Sequence, residues 1–289
     1  MRTYPEWNRN TRKPQVTLPA NACDCAVHVY GGPRASPLSP TRAYDPPAAG
    51  IDDVRRVHSL LGIERAVIIQ PTVYGTDHRV MLDALKRDPD RYRGIALVDD
   101  TVSDEQLQAL HRAGVRSARF NFLSSLNFQW DPAKINRTFS RIGRLGWAVS
   151  VHGTIDELMD RYDLLKGVRH SIIVDHMAHW ELSTGTSSRG YDFLRARLQE
   201  GNWWIKLSNG DRISRTGAPY EDTVDFVQSL IAIQPDRMIW GTDWPHVLYD
   251  GTTPNDADLV ELFFRYVPDS SLRQKILVDN PARLFGFVT

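Results

Sequence analysis

Eight times along this chain a short apolar run is followed by a loop and then by a stretch with helical spacing of its apolar residues. The apolar runs lie at 22–30, 65–71, 93–99, 115–122, 147–153, 171–176, 202–208 and 237–244. They are rich in Val, Ile, Trp and Phe, as strands covered on both faces must be. The helical stretches fall near 51–62, 78–87, 104–113, 132–145, 154–166, 189–200, 219–233 and 256–266. Such alternation predicts βαβ units and a parallel sheet. Eight repeats predict a closed sheet, so the expected fold is α/β, a single (β/α)8 TIM barrel. The barrel is expected over 21–289, after a polar, proline-containing N-terminal arm at 1–20. A length of 289 residues suits one such barrel, although two smaller domains would also fit it. No linker or low-complexity stretch divides the chain, and 270–287 reads as a closing helix and tail.

Several function classes lose support at once. No glycine-rich phosphate-binding motif follows any apolar run, so nucleotide binding has no sequence signal. Lys+Arg and Asp+Glu are both 35, and a net charge of zero offers no field for nucleic acid or an anionic membrane. No apolar run approaches the ~18 residues of a membrane helix. The N-terminal MRTYPEWNRNTRKPQ has no apolar core of a signal peptide. Cys23 and Cys25 read as buried free thiols. The expected location is therefore cytoplasmic.

Chemistry-bearing residues gather at the C-terminal ends of the apolar runs. His28 ends the first, Arg119 and Asn121 lie in the fourth, and His152 and His176 end the fifth and sixth. Asp211 and Arg212 follow the seventh, and Asp243 ends the eighth, with His246 just beyond. In a closed barrel these positions converge on one mouth. A lone histidine at a strand end is as often structural as functional. Three of them facing an aspartate favour a site. Two long connections, 31–50 and 177–188, leave the same end and are expected to cover it, bringing Tyr44 and His179 near. Arg119, inside the apolar ARFNF, must meet a carboxylate of the protein or of a ligand. Asp211 is a candidate partner for Arg212, and Asp175 a brace on the opposite pleat. His58, His78, His111 and His170 are expected at the surface, and Trp203 and Trp204 in the core.

The segments CDCAVHVYGG (23–32), VIIQPTVYGTD (67–77), RFNF (119–122), VDHMAHW (174–180), IKLSNGDRIS (205–214), IWGTDWPH (239–246) and NPARLFGF (280–287) together resemble the amidohydrolase superfamily. The resemblance is to the branch that contains 2-pyrone-4,6-dicarboxylate lactonase, over roughly 20–287. It implies that Asp243 is the general base acting on water and that His176 sits near the substrate carbonyl. Most of the superfamily carries His-x-His on the first strand and binds a catalytic metal there. Here that stretch is Ala26-Val27-His28. The branch resembled is implied to work without a metal, so no cofactor is expected. A divalent metal such as zinc, held by His28, His152, His176 and Asp243, is the alternative. Arg119, Arg212, Thr72 and Tyr44 fall where the resemblance implies substrate contacts, and Asn121, Tyr74 and His246 complete the expected set. A further arginine implied after RFNF is absent, since Ser124 and Ser125 stand there, and the VHG at the fifth run also departs from the dicarboxylate lactonase.

The expected function is hydrolysis of a carboxylated or sugar-acid lactone. Asp243 activates water, and His28 and His176 polarise the carbonyl with help from His152. The expected partner is a small anionic or polar lactone. Isomerisation of a sugar-acid lactone, metal-dependent hydrolysis or decarboxylation, and ligand binding without catalysis are the rivals.

Overall fold

A computed structural model describes residues 6–32, 37–126, 131–249 and 251–288. Its sheet has eight parallel strands in sequence order: β1 (Cys23–Val27), β2 (Arg65–Ile69), β3 (Tyr92–Leu97), β4 (Val115–Asn121), β5 (Ala148–His152), β6 (Ile172–Val174), β7 (Trp203–Leu207) and β8 (Met238–Trp240). A parallel bridge between Val27 and Trp244 brings the last strand back to the first. Asp243 N donates to Ala26 O at 2.9 Å, and His28 N to Trp244 O at 2.8 Å. The expected eight-stranded barrel is therefore the observed one.

The seam is held by a buried carboxylate. Asp24 accepts from Thr242 Oγ1 at 2.6 Å, from Thr242 N and Ala26 N at 3.0 Å, and faces His58 Nε2 at 3.3 Å. Gly241 is required here, because a Cβ on it would lie 2.6 Å from both N and Cβ of Ala26. His58 is buried, not at the surface as expected, and His78, His111 and His170 are half-buried. The reason is helical spacing. In the helix Ile51–Leu61 the buried residues are Val54, Val57, His58 and Leu61, one continuous stripe toward the sheet. Gly62, in the left-handed region at φ 81°, ends that helix by donating to His58 O.

Two apolar layers flank the strands. One lies between sheet and helices; the other fills the barrel interior with Cys25, Ala26, Val67, Ile69, Ile95, Ile173 and Ile239. Both cysteines are free and buried. Trp203 and Trp204 lie in the core, as expected. The N-terminal arm packs down rather than extending away. Trp7 is buried, contacts Trp244 edge-on at 5.1 Å and donates to Ala48 O. Removing a buried tryptophan costs about 3–5 kcal/mol, so the arm is an integral part of the domain. Among the described residues no helix is long and apolar enough to cross a membrane.

Candidate active site

Strand register sets the layers of the barrel interior. Arg119 on β4 lies opposite Ser150 on β5, and Asn121 opposite His152. Below the mouth, Asp175 is fully buried. It pairs with Arg119 Nε at 2.9 Å and Lys206 Nζ at 2.7 Å, and accepts from Ser150 Oγ at 3.1 Å. Burial opposes ionisation of Asp175, but Lys206 and Arg119 outweigh it and hold the carboxyl far below its ordinary range. Arg119 thus meets a protein carboxylate, and Asp175 is the brace expected of it. A guanidinium anchored at one edge keeps its other edge fixed in direction. Here that edge reaches His176, with Nη2 3.4 Å from Nε2.

The chain leaves β6 in an unusual way. His176, Met177, Ala178 and His179 all have left-handed backbone, with φ of 52°, 52°, 57° and 47°. Such residues cost about 1–3 kcal/mol each and persist only where the surroundings fix them. The result is that His176 and His179 turn into one cavity. Asp243 (φ 65°) and Asn209 (φ 63°) share this conformation after β8 and β7.

The cavity at the mouth encloses ≈ 400 Å³, within the range of small-molecule sites. Its wall includes His28, Tyr44, Thr72, Arg119, His152, His176, His179, Asn209, Arg212 and Asp243. Asp243 is its centre. Oδ1 lies 3.4 Å from His28 Nε2 and 3.8 Å from His176 Nε2, while Oδ2 accepts from Arg212 Nη2 at 2.8 Å. Burial would raise its pKa, but His176, Arg212 and His28 outweigh that and hold the carboxyl well below the ordinary range. His28 Nδ1 donates to the Ile69 carbonyl at 3.0 Å, so Nε2 can donate only when the ring carries both protons. His176 Nδ1 faces Ser208 Oγ at 2.8 Å. A hydroxyl can give or take there, so His176 has two tautomers open to it: Nε2 accepts from Arg119 Nη2 when Nδ1 holds the proton, and is itself a donor when Nδ1 accepts from Ser208. Burial drives His176 and His152 well below the ordinary histidine value, and His179 to about 4.

Three expected substrate contacts do not line the cavity. Asn121 lies beneath it, with Oδ1 3.0 Å from His152 Nδ1. Tyr74 turns its hydroxyl to Gly31 N at 3.0 Å. His246 faces the other way, its Nε2 2.9 Å from Asp256, and Asp256 outweighs burial to raise its pKa. Arg212 takes Asp243 as partner, not Asp211, which stays buried with a raised pKa because burial dominates. Asn209 was not expected. It is buried, lines the cavity, and neither amide atom has a hydrogen-bond partner among the described residues. Nothing in the sequence flags an orphaned amide. A second cavity of ≈ 440 Å³, lined by Asp99, Asp131 and Lys134 among others, contains none of these residues.

As a metal centre the mouth lacks the first histidine of the His-x-His pair. Ala26 stands where a first histidine ligand would be needed, fully buried against Gly241. Among the described residues no group of three or more His, Cys, Asp or Glu is placed to hold a metal ion. The described residues do not fit such a centre.

The amidohydrolase family profile matches residues 23–287. The chain belongs to the amidohydrolase family. It is 38% identical to a 4-sulfomuconolactone hydrolase of Rhizobium radiobacter, covering 94% of this chain and 92% of that protein. It is 36% identical to a 2-pyrone-4,6-dicarboxylate hydrolase of Comamonas testosteroni, covering 97% and 95%. A D-galactarolactone isomerase of Agrobacterium fabrum is 30% identical, covering 94% and 93%. The crystal structure of a ligand-free Agrobacterium tumefaciens protein superposes with a TM-score of 0.85 at 28% identity, covering 95% of this chain and 99% of that one. In this amidohydrolase the cavity lined by His28, His176 and Asp243 lies just beyond the C-terminal ends of strands β1, β6 and β8.

Proposed function

We propose that this amidohydrolase opens a lactone by metal-independent attack of water. The observation that carries the reading is Asp243: a buried carboxylate, held ionised, with two histidine nitrogens facing one oxygen and an arginine on the other. A carboxylate so placed can take a proton from water in the cavity. The water oxygen bonds to the lactone carbonyl carbon, and negative charge builds on the carbonyl oxygen. His176, in the tautomer with its proton on Nε2, and His28, when its ring carries both protons, are placed to donate to that oxygen, and a donor of this kind is worth about 3 kcal/mol of barrier. When the ring C–O bond breaks, the leaving oxygen takes back the proton held by Asp243. Arg212 Nε, buried and without a hydrogen-bond partner among the described residues, is a donor available for an acid group of the substrate. Thr72, Tyr44 and Asn209 line the same space. Among the described residues two arginines line it, and each already faces a carboxylate. That favours a lactone with fewer acid groups than a dicarboxylate.

A screen of carboxylated and sugar-acid lactones with a pH indicator, with and without chelator, tests the reading. Turnover that survives chelator and is lost in Asp243→Asn is the expected result. Turnover abolished by chelator contradicts the metal-independent route. The 30% identical isomerase supports a second reading, in which the ring moves rather than opens. That reaction consumes no water.

A further inference from the structure

One side of the cavity takes no part in the proposed water attack. His152 and His179 form it, with ring centroids 5.0 Å apart and planes tilted by 39°. Nδ1 of His152 lies 3.0 Å from Asn121 Oδ1. An amide oxygen only accepts, so that nitrogen carries the proton, and Nε2 of the neutral ring is left as an acceptor. Nε2 of His179 is buried with no hydrogen-bond partner among the described residues. Its ring can place a proton on that nitrogen. Burial, followed by Arg119 for His152 and Arg212 for His179, opposes protonation of both rings. The wall therefore offers one fixed acceptor and one unclaimed nitrogen, and no cation.

The shape of this offer selects a ligand group. A carboxylate or sulfonate only accepts, so it would face the His152 lone pair unfavourably. A hydroxyl donates once and accepts twice, and it matches both nitrogens. The strained turn adds a second argument. Four consecutive non-glycine residues are left-handed between Asp175 and Trp180. The turn sets His179 against His176, with ring centroids 5.4 Å apart. A plain loop could pass this point without strain.

We propose that His152 and His179 form a hydroxyl-recognition subsite, so that the lactone this chain takes carries a hydroxyl beside its acid group. The proposal deepens the lactone reading and rests on it.

The test compares matched lactones. One pair is a carboxylated lactone with a ring hydroxyl and its deoxy analogue; a second pair differs by a side-chain hydroxyl. kcat/KM is measured for wild type, His179→Leu and His179→Asn. Asparagine keeps polar atoms and tolerates left-handed backbone. Wild type is expected to favour the hydroxylated member of one pair by about tenfold or more. His179→Leu is expected to bring that ratio close to one, mainly through KM, while His179→Asn retains most of it. A wild type blind to the hydroxyl in both pairs overturns the proposal, as does a ratio unchanged by His179→Leu. The wild-type ratio needs no variant, so a leucine variant that does not fold leaves the proposal testable. If no lactone is turned over, the hydrolase reading fails by itself. Calorimetric titration of the same pairs into wild type then decides the subsite: tighter binding of a hydroxylated member supports it, and equal affinities or no binding overturn it.

Discussion

Buried and half-buried arginines sit at both ends of this barrel, and the two ends use them differently. At the floor they donate to backbone carbonyls. Arg93, at the start of β3, donates to Pro89 O at 2.6 Å, Gly286 O at 2.9 Å and Phe285 O at 3.2 Å. Arg65 reaches Val288 O, Arg116 reaches His111 O at 2.8 Å, and Arg237 reaches Gly201 O. At the mouth Arg119 and Arg212 are instead tied to Asp175 and Asp243. The floor satisfies peptide groups that the helix and chain ends leave open, which is a matter of stability. The mouth fixes carboxylates beside several cavity-lining polar atoms that have no partner among the described residues, Asn209, His179 Nε2 and Arg212 Nε, whereas of the floor arginines named above Arg65 leaves Nη1 so. A buried charge alone therefore says little about function. What marks the mouth is unmatched polarity in strained backbone around a cavity.

This contrast can be broken by experiment, and the largest effect is expected at its centre. Asp243→Asn should lower kcat/KM by about a thousandfold or more, with the folded state retained by circular dichroism. His176→Asn should lower kcat by about a hundredfold; an unchanged kcat would remove it from the reacting carbonyl. The two ends then separate in kcat/KM. Arg212→Met should lower kcat/KM by about a hundredfold through loss of a charged hydrogen bond, and should also cost stability by leaving the buried Asp243 carboxylate less compensated. Arg93→Met should leave kcat/KM alone and cost about 3 kcal/mol in urea titration, because several carbonyls lose their donor. The reverse pattern would sink the distinction.

A further effect is in stability against pH. His152, His176 and His179 have folded pKa values below the ordinary 6.5. Below that value the unfolded chain binds protons that the folded chain refuses. Stability should therefore fall with pH from about 6.5 downward, by up to about 1.4 kcal/mol per pH unit for each such histidine. His246 acts in the opposite sense, since its pKa is raised. Asp243 and Asp175, both depressed, contribute stability above pH 3.8 that is lost only at lower pH. An unfolding midpoint flat from pH 6.5 to 4.5 would contradict the neutral histidine cluster.

The barrel was legible because strand and helix periods repeat eight times and agree with each other. The strand ends were less so. β6 stops at Val174 and β8 at Trp240, short of His176 and Asp243, because those residues leave the ladder in left-handed backbone. The alternation rule also fails in β1, where a register shift lies between Asp24 and Val27. Most of the mouth followed from position: His28, Arg119, His152, His176, Arg212 and Asp243 all line the cavity. His246 misled because its partner, Asp256, begins a helix whose docking no local pattern shows. His58 was readable in principle, since it falls on the apolar stripe of its helix. Asn209, Ser208 and Lys206 were not readable, because their part depends on which neighbours the fold supplies or withholds.

The central claim is that Asp243 directs water onto a lactone carbonyl. It is tested most directly by turning over the best lactone of the screen in 18O-labelled water and weighing the product. One label in the new carboxylate per turnover, with the rate lost in Asp243→Asn, is the result this account requires. A product formed without label would contradict it and establish isomerisation at the same mouth.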